Sequence, residues 1–161
     1  MSAHSSIREI ARFSASWSSA VARSAEPDAG YRFPAIGASD YPYCRALGDC
    51  RTYVYLSDQE PTFTNWNKAA AAGKSFFTTG PLLEVSVNGQ LPGDTVRLPK
   101  GEHMLDVRVR LVSPVAPVAE IHLIEGGRIR ERMRAAQRDQ SKPFTWSTQL
   151  TVQDSTWVAV R

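Results

Sequence analysis

From Leu82 to Val160 the chain runs as short segments, "LLEVSVNG", "DTVRL", "HMLDVRVRLV", "AEIHLIEGGRIRERM", "FTWSTQLTV" and "STWVAV", parted by Asn-Gly, Pro-Gly and Gly-Gly turns with no helical stretch between them. A lone hairpin is marginal in water, so strands in this rhythm must cover one another, and an antiparallel, Ig-like β-sandwich is the expected solution. In the third segment Leu105, Val107, Val109 and Leu111 alternate with Asp106, Arg108 and Arg110. One face of that strand is therefore buried and one is wet. The interior is expected to hold Val85, Val87, Leu105, Val107, Val109, Ile121 and Trp157. Arg128, Arg130, Arg132 and Arg134 also alternate and share one face if their strand persists. Such a row is a solvated face, or one that meets an acidic partner or further barrel units of the same protein.

The first half reads differently. Ile7, Ile10, Phe13, Trp17 and Val21 recur at steps of three and four, which predicts an amphipathic helix over 7–25, ended by Pro27 and Gly30. A strand is expected from Phe33 to Ala38 and another over 51–56, "RTYVYL". Thr62 or Thr64 can cap a short helix, "NWNKAAAA", that stops at Gly73, and "KSFFTTGP" returns as a strand ended by Gly80-Pro81. The expected fold class is α+β: a partial α/β barrel remnant over 1–80, then an antiparallel β-sandwich over 81–161, with the boundary near Thr79 to Pro81.

Composition narrows the function. With 161 residues there is room for one ordinary domain or two small packed units but not for a complete large barrel enzyme. Nineteen Lys and Arg against 16 Asp and Glu are interspersed, with no stripe suited to nucleic-acid phosphates. No apolar run is long enough to span a bilayer, and Arg8, Glu9 and Arg12 interrupt the place where a signal peptide needs an apolar centre. No nucleic acid, membrane or compartment signal is read here. Cys44 and Cys50 match no common zinc spacing; a local disulfide and two inert thiols both fit.

The residues "FPAIGASDYP" place Asp40 at the end of an apolar run. In α/β sheets functional groups gather beyond the carboxyl ends of strands, where a carboxylate can hold a divalent metal or move a proton; an Asp there can equally form a turn or cap a helix. Arg32 and Arg51 flank expected strands, and either suits an anionic substrate group or a structural ion pair with Asp49 or Asp58. Lys74, Thr78 and Thr79 can line the same mouth or serve the turn. The serines of 14–19 have no local base, so serine catalysis is unsupported.

Taken in order, "GYRFPAIGASDYP", "CRTYVYL" and "AGKSFFTTGPLLEVSVNGQLPGD" resemble the closing segment of the CehA/McbA-like metallohydrolases, a branch of the polymerase-and-histidinol-phosphatase (PHP) superfamily. The likeness covers about residues 30 to 98 closely and the rest of the sandwich loosely. It implies an irregular β/α barrel followed by a sandwich, and bound Zn or Mn serving hydrolysis of ester, carbamate or phosphoester substrates. By the same match Asp40 would be a metal ligand. The family's early His-x-His motif has no counterpart in His4, His103 and His122, which read as surface or edge histidines, and Tyr41-Pro42-Tyr43 stands where a His often follows the motif Asp. The resemblance thus implies a C-terminal piece of such a hydrolase, inactive in isolation, whose partner is the missing N-terminal barrel portion. "STWVAVR" even suggests clipping at the far end. The alternative is a non-catalytic β-sandwich binding or interaction module.

Overall fold

The computed structural model describes residues 8–16, 34–39, 41–43, 46–114, 117–135 and 142–161, the first of these by backbone alone. Two packed sheets dominate. The smaller holds β4 (Leu82–Val87), β6 (His103–Val112) and β9 (Phe144–Val152), all antiparallel, in the order β4-β6-β9. Its register sets Leu83 opposite Leu111, Val85 opposite Val109 and Val87 opposite Val107, so every apolar residue of the alternation reaches one face. The other face is polar, and there Arg110 donates to Glu84 at 2.8 Å.

The larger, seven-stranded sheet runs β2 (Arg51–Val54), β3 (Ser75–Thr78), β1 (Arg8–Ser16), β10 (Thr156–Val160), β7 (Glu120–Glu125), β8 (Arg128–Arg134), with β5 (Thr95–Leu98) also pairing β1. It is mixed: β1 lies parallel to β10 and β3 and antiparallel to β5. Strand pairing through β1 therefore links β3 to β10 across the Thr79–Pro81 position. Ile121, Leu123, Val158, Val160, Val96 and Phe76 from this sheet meet Leu83, Leu105, Val107, Leu111, Trp146 and Leu150 from the smaller one in a single core. Of the expected interior residues six are buried, while Trp157 is only half-buried.

Two expectations for the first half are corrected. Residues 8–16 form a strand, not part of a helix; 17–25 lie outside the described residues. The three-and-four spacing satisfies a helix only in isolation. In the fold this segment pairs the edges of β3, β5 and β10, and those ladders override a weak local preference. Residues 34–39 are irregular, not a strand. Pro34 has no N–H to give a ladder, and the segment is fastened by side-chain hydroxyls instead. The short helix α1 (Phe63–Ala71) is as the sequence predicts: Thr62 caps it through Oγ1, which accepts from Asn65 N–H at 3.2 Å, and Gly73 follows in the left-handed region.

Candidate functional site

The segment that leads to Asp40 is held from below by two hydroxyls. Thr52 Oγ1 accepts from Gly37 N–H at 2.9 Å and donates to Gly37 O at 2.8 Å. Ser75, itself buried, donates to Ala35 O at 3.0 Å. Space at Gly37 is minimal: a Cβ there would fall 2.6 Å from both Cys50 Sγ and the Phe77 ring. The loop then folds back on itself, with Gly48 N–H donating to Ser39 Oγ at 3.2 Å and Asp49 N–H to Ala46 O at 3.2 Å.

Asp40 and Arg32 lie outside the described residues, as do His4 and Cys44. Arg51 is exposed, and its Nε donates to Gly48 O at 2.7 Å, bracing the loop. Thr78 is buried in the turn: its Oγ1 donates to Pro81 O at 2.6 Å and accepts from Gly80 N–H at 3.0 Å. Lys74 pairs with Asp94 at 3.5 Å. Cys50 carries a free, half-buried thiol. In the described residues on either side of position 40, Ile36, Tyr41, Tyr43 and Leu47 are exposed by 53%, 62%, 88% and 80%.

The remaining histidines stand on sandwich strands. His103 Nε2 bonds the Pro99 carbonyl at 2.9 Å. His122 Nε2 meets Glu120 Oε2 at 3.0 Å while its Nδ1 faces an Arg161 guanidinium nitrogen at 3.2 Å. A guanidinium can only donate, so Nδ1 accepts and Nε2 carries the proton given to Glu120. That bond, first, and the nearby Arg132 and Arg134 charges hold the Glu120 carboxyl below its usual range. Among the described residues no three His, Cys, Asp or Glu side chains gather closely enough to share a metal ion. Asp40, the ligand that the family resemblance implies, lies outside the residues so compared.

Two features escape a sequence reading. An open groove of about 380 Å³ is lined by Glu125, Arg130, Thr151, Gln153, Asp154 and their neighbours, with Arg130 Nε 3.2 Å from Glu125 Oε2. Its residues come from the β7–β8 hairpin and the β9–β10 turn, which no local spacing connects. The second is a β-bulge between Leu123 and Ile124: Leu123 opposes Glu131 but Ile124 opposes Ile129, leaving Arg130 in the bulge. The alternating arginine row is thereby broken. Arg132 and Arg134 stay opposite His122 and Glu120 on the outer face, whereas Arg130 turns to the groove.

No helix among the described residues is long and apolar enough to cross a membrane. Comparison of the chain with protein-family models, with curated proteins and with solved structures finds no match.

Proposed function

We propose that this chain is the C-terminal portion of a metal-dependent hydrolase of the CehA/McbA-like type, directed at ester, carbamate or phosphoester bonds and inactive by itself. The observation that carries this reading is that Ile36, Tyr41, Tyr43 and Leu47, all within one stretch of sequence around position 40, are each exposed. Large apolar side chains concentrated on one loop mark a surface that meets another body. The missing barrel units would be that body, and residues 1–80 would be the barrel's last units. Under this reading Asp40 supplies one oxygen ligand to a Zn²⁺ or Mn²⁺ ion whose remaining ligands come from the missing portion, and Arg51, with Arg32, orients an anionic substrate group. The chemistry the ion supplies when bound is activation of water.

Calorimetric titration of the metal-stripped chain with Zn²⁺ or Mn²⁺, followed by an assay on a model ester and a phosphodiester, tests this. Weak binding that Asp40→Ala removes, without hydrolysis above background, is expected. Tight stoichiometric binding with turnover would show that the chain completes its own site. Binding indifferent to Asp40 would remove that residue from the metal shell and the hydrolase reading with it.

A second reading, a non-catalytic sandwich module, is favoured by one observation: Arg132 and Arg134 are exposed side by side on one face of the last strand of the larger sheet.

A further inference from the structure

The strand β8 pairs with β7 on one edge, and among the described residues no strand lies on its other edge. Such an edge offers a row of backbone donors and acceptors to any extended chain. What it will accept is set by its side chains. On the outer face Arg132 and Arg134 stand about 7 Å apart, two residues along a strand. Among the described residues the carboxylate opposite them on β7 is Glu120, which is bonded to His122, and His122 also meets Arg161. Positive charge is in excess on this face. On the inner face Met133 packs half-buried against the core, and Glu131 accepts from Thr148 Oγ1 at 2.7 Å, tying β8 to β9 across the edge of the sandwich.

We propose that the outer edge of β8 takes an extended acidic segment of another protein as an added strand. Its residues would read acidic, apolar, acidic: carboxylates beside Arg134 and Arg132 on the outer face, and an apolar side chain between them against Met133. Carboxylates directly across a ladder from arginines are favoured and like charges disfavoured. A second copy of the chain is refused for that reason, since β8 against β8 would set the outer-face arginines beside one another. The seven-ångström repeat of Arg132 and Arg134 matches alternate side chains of a strand, which favours an extended peptide over an anionic surface without that period. The inference uses the sandwich alone, so it stands whether or not the hydrolase reading does.

The test measures fluorescence anisotropy of labelled ten-residue peptides with the full 161-residue chain. One peptide alternates Glu with Val, a second has the same composition with its Glu residues in one block, and a third replaces Glu by Lys. The alternating acidic peptide is expected to bind at least about tenfold more tightly than the blocked one. The double variant Arg132→Glu/Arg134→Glu, exposed and therefore expected to fold, should lose that peptide and gain the Lys peptide. Hydrogen exchange adds a readout that charge attraction alone would not move: amides on the outer edge of β8 should become protected on binding. Equal binding of alternating and blocked peptides would reduce the face to a general polyanion surface. Absence of binding, or binding without new protection in β8, would overturn the added strand.

Discussion

Thr52 clasps Gly37 on both sides of its α-carbon, taking the N–H at 2.9 Å and giving its own proton to the carbonyl at 2.8 Å. One side chain thus replaces a two-bond strand ladder and fixes the segment that leads to Asp40. Thr52→Val keeps the shape and removes both bonds, leaving the half-buried Gly37 amide unmatched. A loss of about 1–3 kcal/mol in urea unfolding is expected, with Thr52→Ser retaining most of the stability. A Val variant as stable as the parent would show that the clasp contributes nothing.

The sandwich was legible because its signal is local. A period of two, interrupted by Asn-Gly and Gly-Gly, states both where a strand lies and which face it buries, and Leu105, Val107 and Val109 lie as read. The first strand was not, since its partners β3, β5 and β10 are up to about 145 residues away, as the Ala11 and Thr156 register shows, and no spacing within 8–16 announces them. The segment before Asp40 failed for a related reason: its hydrogen bonds come from the hydroxyls of Thr52 and Ser75, which a sequence presents as ordinary strand residues. Arg51 stood where expected, at the start of β2, but its bond to Gly48 was not foreseen.

Gly93 marks the joint between the helix end and the sandwich. It has φ of +87°, and a Cβ there would fall 2.5 Å from the Gly73 carbonyl carbon and 2.7 Å from Ala72 O. Both are backbone atoms that cannot rotate away. Gly89 has a similar φ of +77° but open space around it. Gly89→Ala should therefore cost about 1 kcal/mol from conformation alone, and Gly93→Ala about 3 kcal/mol or more, measured by chemical denaturation. Equal costs would mean that the close approach to Gly73 is not maintained.

Neighbouring residues Met104 and Leu105 test the burial pattern directly. Leu105 is fully buried whereas Met104 is 64% exposed. Leu105→Ala should lose about 2–5 kcal/mol and Met104→Ala less than about 1 kcal/mol. The reverse order would place the core on the other face of β6.

Tyr55 gives the fold a dependence on alkaline pH. Its ring lies against Phe76, with centroids 5.9 Å apart, and its hydroxyl donates to Leu83 O at 3.3 Å, across to the smaller sheet. Burial, and then the Glu84 carboxylate, push the phenol up to about 12, with a backbone hydrogen bond from Val85 acting the other way. The neutral phenol is the form the fold prefers. Its contribution is therefore complete below about pH 10, where the unfolded chain's tyrosine begins to ionise, and fades as pH rises through about 12. Partial solvent access limits the effect to at most about 2 kcal/mol. Stability measured by urea unfolding at successive pH values should fall across this window. In Tyr55→Phe the fall should be shallower, and ultraviolet difference titration should lose its latest phenolate phase. An unchanged late phase in that variant would assign the alkaline ionisation to another tyrosine and detach Tyr55 from the pH response.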